Sequence, residues 1–180
     1  MFKFIKQFFS TVGLAFVVLS ANALEVGDMA PDFQLPGSDG EVHHLADYRG
    51  KQAVVLAWFP KAYTSSCTIE CKSIAKNGHL IREYNVAYFM ASVDSLEKNE
   101  GFADETGADF PLLSDEDKSV AKAYGVLHLF GFAKRHTIYI GVDGRVLKID
   151  NNVNSATSAE DIAATLGELD VELRKPVQPL

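Results

Sequence analysis

Ala53-Val-Val-Leu-Ala-Trp-Phe-Pro60 runs straight into Lys61-Ala-Tyr-Thr-Ser-Ser-Cys67-Thr-Ile-Glu-Cys71, and the reading of these two pieces decides the fold. The first is an unbroken apolar run of strand length closed by a proline, the pattern of a β-strand covered on both faces. Such a strand belongs at the centre of a sheet. The second is a Thr/Ser-rich helix start, which Thr64 or Ser65 can cap, with Ile69, Ile74, Leu80 and Ile81 at loosely helical spacing as far as Tyr84. Gly78 is an irregularity inside it. A strand-to-helix junction of this kind sets Cys67 among backbone N–H groups that lack a helical partner, at the positive end of the helix dipole. Both features favour a thiolate, the reactive form of cysteine.

Outward from this junction the chain alternates. On its N-terminal side, Phe33-Gln-Leu and Val42 to Leu45 flank Gly37-Ser-Asp-Gly40, a small β-hairpin expected to cap an edge or end of the sheet. On the other side come a strand from Val86 to Val93 and a helix from Ser95 to Thr106, with Ser95 as N-cap and Gly107 as the stop. A short strand, Pro111-Leu-Leu113, and a short helix from Asp117 to Tyr124 ending at Gly125 follow. His136 to Val142 and Arg145 to Ile149 then form a hairpin around Asp143-Gly144. Ser158 to Leu169 closes as a helix, with Ser158 as cap and Asp161 three residues on. Alternating strands and helices predict an α/β domain, and the late hairpin makes the sheet mixed. A βαβ unit followed by a hairpin and a final helix is the thioredoxin-like order: a mixed central β-sheet flanked by helices, with an N-terminal β-hairpin added. The cysteine pair then lies at the carboxyl end of a central strand, where α/β sheets tend to place ligands.

The ends are read separately. Residues 1–23 hold Lys3 and Lys6, the apolar stretch Phe8 to Leu19, and Ala21-Asn-Ala23, the three parts of a secretory signal with cleavage expected after Ala23. The apolar run is shorter than the roughly 20 residues that cross a bilayer, so no stable membrane association is expected once the leader is removed. No cysteine follows it to carry a lipid anchor. Removal leaves 157 residues, enough for one domain with one core, expected over 24–175, with a frayed tail at 176–180 marked by Pro176 and Pro179. Two of the 17 basic side chains leave with the leader, so 15 face 24 acidic ones, a balance that argues against nucleic acid or an anionic surface as partner. The expected location is the periplasm or outside the cell, where disulfides persist.

Cys67 and Cys71 are the only cysteines. A structural disulfide is the plain reading of two cysteines in an exported chain. Their spacing argues against it, because so short a loop removes little unfolded-chain entropy and helix positions i and i+4 hold the wrong Cβ separation. A bond between them requires local unwinding, which suits a transient redox bond. Thioredoxin-type reductases separate their cysteines by two residues; here three intervene.

Three further pieces carry a resemblance. Gly27-Asp-Met-Ala-Pro-Asp-Phe33 is similar to the segment that opens peroxiredoxins, and Pro60, Thr64 and Cys67 match their Pro-x-x-x-Thr/Ser-x-x-Cys motif position for position. Arg135, two residues before Thr137 at the head of a strand, stands where that family has its active-site arginine. Taken in order from Val26 to about Leu169, these resemble the bacterioferritin comigratory protein, or peroxiredoxin Q, branch. The resemblance implies a thioredoxin-like fold and reduction of hydrogen peroxide or an organic hydroperoxide, with a thioredoxin-like or low-molecular-weight thiol as reductant and no cofactor. Cys67 then attacks peroxide and becomes a sulfenic acid. Arg135 favours the thiolate and donates to peroxide oxygens through a fork that lysine lacks. Thr64 donates to sulfur or peroxide or serves as a cap, and Pro60 ends the strand and shields the sulfur. Cys71 is the expected resolving cysteine, although the branch usually sets that residue five positions after the first and here the interval is four. Glu70 matches a residue of the branch too, but favourable placement in a first helical turn accounts for it without a catalytic role.

A competing reading remains. Cys-x-x-x-Cys on an exported thioredoxin-like domain also resembles the copper-binding Sco family, in which a distant histidine completes the site. Cys67, Cys71 and His136 are the candidate Cu(I) ligands for that alternative.

Overall fold

The structure, a computed structural model, describes residues 24–175; the leader expected over 1–23 and the tail expected over 176–180 lie outside the described residues. Its centre is β3 (Ala53–Trp58), buried at every position. On one side it pairs in parallel with β4 (Val86–Ser92), which pairs in parallel with β5 (Leu112–Ser114). On the other it pairs antiparallel with β6 (His136–Ile140), and β6 with β7 (Val146–Asp150), giving the order β5-β4-β3-β6-β7. This is the mixed sheet of the α/β, thioredoxin-like expectation. Two short strands, β1 (Gln34–Pro36) and β2 (Val42–His44), form the separate N-terminal hairpin.

Strand alternation divides the core. Val55 and Ala57 of β3 and Tyr139 of β6 face one layer with α1 (Ser65–Ile81), α2 (Leu96–Thr106) and α4 (Ser158–Glu168), where Ile74, Ile81, Phe102, Ile162 and Leu166 are buried. Val54, Leu56 and Trp58, with Ile138 and Ile140, face a second layer with α3 (Ser119–Ala123) and the N-terminal segment, through Phe33, Leu35, Val120 and Tyr124. That segment crosses the whole face, bridged to Arg145 through Met29 at one end and to Leu113 through Gly37 at the other.

Element ends follow local chemistry; most strand ends shift by a residue or two from the sequence expectation, and three helix ends differ for a visible reason. The first long helix stops at Ile81 rather than Tyr84, because Tyr84 leaves it to bridge Leu173. α3 starts at Ser119 because Lys118 takes a left-handed φ of 65° and the Asp115 carboxylate accepts the Val120 and Ala121 N–H groups. The cap position of α4 is Thr157, whose hydroxyl donates to Asp161 Oδ2 at 2.7 Å; Ser158 is the first helical residue and is buried. The Ala159 N–H there meets Ser73 Oγ of α1, a partner from another element. Ser95 and Gly107, by contrast, bound α2 as expected, Gly107 with φ 68°, a conformation that costs glycine nothing.

Candidate active site

β3 delivers the chain to Pro60, and the turn that follows is held from outside. Ala62 N–H donates to Asp94 Oδ2 at 2.8 Å, and Thr64 Oγ1 donates to Lys61 O at 2.9 Å. Tyr63 between them sits at φ 64°, a conformation that costs a side-chain-bearing residue about 1–2 kcal/mol. Its ring packs edge-on against Phe102 with centroids 5.2 Å apart, which offsets part of that cost. α1 then begins with Thr64 in the cap position, yet no side chain caps it. The one proton of Thr64 goes to Lys61 O rather than to sulfur, and separately its oxygen accepts from none of the first N–H groups of the helix.

Cys67 is the third residue of that helix and is 1% exposed. Arg135 Nη2 donates to its Sγ at 3.1 Å, across 68 residues of sequence. The same guanidinium forms an ion pair through Nη1 with Glu70 Oε2. Glu70 is fully buried, and among the described residues its carboxylate has no other polar partner. It therefore lies in the second turn as the counter-charge of Arg135, not in the first turn as a dipole group, which corrects the sequence reading. Two prongs of one fork thus link carboxylate and sulfur, an arrangement lysine cannot copy.

Cys71 lies one turn further and has no exposure; both cysteines are free thiols. Burial, with the Cys67 sulfur adding to it, pushes the Cys71 thiol up to about 11. Its sulfur is 3.1 Å from Thr106 Oγ1 of α2.

His136 does not join the cysteines. It stands opposite Trp58 in the β3–β6 register, on the face away from α1, whereas Thr137 stands opposite Ala57 on the cysteine face. Alternation puts Arg135 on the side of Thr137 and Tyr139. Burial, with Lys134 nearby, lowers the His136 pKa from its ordinary value. Among the described residues no three His, Cys, Asp or Glu side chains gather as a metal ion requires. This register does not favour the copper alternative. A cavity of about 510 Å³ opens at the far end of the sheet, between Ala53, Asn85, Gly141 and Val171, and touches none of the site residues.

Residues 26–149 match the model of the AhpC/TSA family. The chain belongs to that family. Peroxiredoxin Bcp of Escherichia coli strain K12 is 39% identical over 105 residues, 58% of this chain and 67% of the relative. Peroxiredoxin Bcp of Bacillus subtilis strain 168 is 31% identical over 153 residues, 81% of this chain and 97% of the relative. Among solved structures, peroxidoxin BcpB of Mycobacterium tuberculosis is similar with a TM-score of 0.73 and 30% identity, over 81% of this chain and 97% of that one. The protein is a peroxiredoxin, a thiol-dependent peroxidase, and Cys67, Arg135 and Glu70 sit together at the head of its first long helix. The signal for Glu70 in the sequence was its place on the Cys67 face one turn on; nothing local marked Asp94 or Thr106.

Proposed function

We propose that Cys67 is the sulfur that takes oxygen from peroxide and that Cys71 closes a disulfide onto it. The observation that carries the reading is the 3.1 Å donor contact from Arg135 Nη2 to Cys67 Sγ at an uncapped helix N-terminus. A charged donor favours a charged sulfur, and the same N–H group can turn to the peroxide oxygens as they approach. The Cys67 thiolate attacks one peroxide oxygen, the O–O bond breaks, and the leaving oxygen takes a proton to depart as water or an alcohol. Cys67 is then a sulfenic acid. Cys71 attacks its sulfur, the S–O bond breaks, and water leaves with the thiol proton. Two electrons from a thioredoxin-like dithiol or from two low-molecular-weight thiols, which leave as a disulfide, restore both cysteines. Pro60 follows the end of β3 at Trp58 and Thr64 holds the turn through Lys61.

Replacing Cys67 tests the first step: Cys67→Ser is expected to abolish peroxide consumption, and retained activity would falsify the assignment. In Cys71→Ser the sulfenic acid is expected to survive long enough for a dimedone-type reagent to trap it. Failure to trap it points to direct resolution by an outside thiol instead.

The reading extends to the whole chain: one catalytic domain over 24–175, a leader over 1–23 and a tail over 176–180, working in the periplasm or outside the cell. Lys3, Lys6, the apolar run and Ala21-Asn-Ala23 support export. The mass of the protein recovered from its producing cells is expected to correspond to a start at Leu24; an intact leader on cytoplasmic protein would refute it.

A further inference from the structure

Cys71 has to change three things before it can resolve Cys67. Residues four apart on a helix keep their Cβ atoms about 5–6 Å apart, and a disulfide needs about 3.8 Å. The helix must therefore open, the thiol must lose its proton, and the sulfur must leave Thr106.

The third requirement has a definite chemistry. Thr106 Oγ1 lies 2.6 Å from Phe102 O and 3.1 Å from Cys71 Sγ, and the residue is 7% exposed. A threonine hydroxyl has one proton, and a carbonyl can only accept. The short contact to Phe102 O takes that proton, so the Cys71 S–H donates to the Thr106 oxygen. This chain of contacts suits a thiol at Cys71; a thiolate keeps the contact only if the Thr106 hydroxyl turns its proton away from Phe102 O. It also ties the second turn of α1 to the last turn of α2, which is anchored in its turn by Phe102 packing on Phe59 and Tyr63.

We propose that Thr106 is a positioning residue for disulfide closure: its hydroxyl latches Cys71 to α2 as a buried thiol and so sets how long the Cys67 sulfenic acid persists. The proposal rests on the reading of Cys71 as the resolving cysteine. Closure forms one S–S bond, breaks the S–O bond of the sulfenic acid and releases water, with no oxidant beyond the peroxide already consumed. A slow latch leaves the sulfenic acid open to a second peroxide, which carries it to the sulfinic acid.

The test uses the reduced full chain mixed with one equivalent of hydrogen peroxide and quenched over time, with dimedone adduct and intrachain disulfide counted separately by mass. Thr106→Val keeps the side-chain shape and removes the acceptor. It is expected to speed closure roughly threefold to tenfold, the range set by loss of one ordinary hydrogen bond, and to leave sulfenic acid formation within twofold. Thr106→Ser, which keeps the hydroxyl, is expected to restore the slower closure; Thr106→Ala is expected to act as Val does and serves where Val does not fit. Less sulfinic acid at excess peroxide is expected in the Val and Ala variants. A disulfide that forms at the same rate in Thr106→Val and the parent, or a Ser variant as fast as Val, overturns the latch while leaving Cys71 as resolver. If the parent consumes peroxide and never forms a Cys67–Cys71 disulfide, the resolver reading falls and takes the latch with it.

Discussion

Arg135→Met separates what this arginine does for rate from what it does for stability. Methionine keeps an unbranched stem and removes the charge and the fork. On the rate side the variant loses the Nη2 contact to Cys67 Sγ at 3.1 Å. A hydrogen bond from a charged donor contributes about 1.5–3 kcal/mol, and each 1.36 kcal/mol is tenfold, so peroxide reduction is expected to slow by roughly 10-fold to 150-fold. On the stability side it strands Glu70, which is 0% exposed and has Arg135 as its counter-charge. Removing one partner of a buried pair costs about 3–5 kcal/mol, a large part of the roughly 5–15 kcal/mol that holds a domain folded. Adding Glu70→Gln removes the stranded charge. The double variant is therefore expected to recover most of the lost stability and none of the lost rate. Urea unfolding followed through Trp58, the single tryptophan, reads the first quantity; single-turnover peroxide consumption reads the second. An Arg135→Met variant within threefold of the parent rate, or a double variant as unstable as the single one, would refute the two-pronged role.

Three other expectations follow from the same structure. Cys71 has an ordinary thiol value of 9.0 and a folded value of about 11, so its burial stabilises the closed helix fully below pH 9 and loses that contribution as pH rises towards 11. In Cys67→Ser, alkylation of Cys71 should keep climbing about tenfold per pH unit to near pH 11; a plateau near pH 9 would show that the thiol is not held in this way. His136→Ala should leave peroxide turnover within twofold and bind no Cu(I) tightly, since the imidazole lies on the Trp58 face; a tenfold loss would contradict the register argument. Asp115→Ala strands the Val120 and Ala121 N–H groups at the start of α3 and is expected to cost about 1–3 kcal/mol, lowering Tm by several degrees with turnover intact.

Local sequence carried much of this architecture. The apolar run into Pro60 is β3, the Thr/Ser stretch is the start of α1, and Ser95 with Gly107 marks α2, because strand burial and helix ends are written in adjacent residues. Caps supplied from elsewhere were not legible in the same way. Ser158 carries a capping side chain by type, but the chain turns one residue earlier, and Ser73 of α1 meets the Ala159 N–H. Thr64 was placed as a cap by type as well, and its hydroxyl serves the preceding turn instead. Glu70 looks like any carboxylate near a helix start until the cation at the head of β6 is in view.

The Cys67 motif and Arg135 could each be read from the sequence by itself, along with an α/β order of elements that puts the cysteines at a strand's carboxyl end. The choice between Arg135 and His136 as the neighbour of Cys67 could not. The two are adjacent, and alternation sends them to opposite faces of β6, but only the pairing of Ala57 with Thr137 and Trp58 with His136 says which face α1 covers. The same holds for Thr106, which meets Cys71 across 35 residues through the packing of α2 on α1. Periodicity is a property of neighbouring residues and survives in the sequence; register and helix packing are settled by burial between segments far apart, where a one-residue slip exchanges every side chain between the two faces.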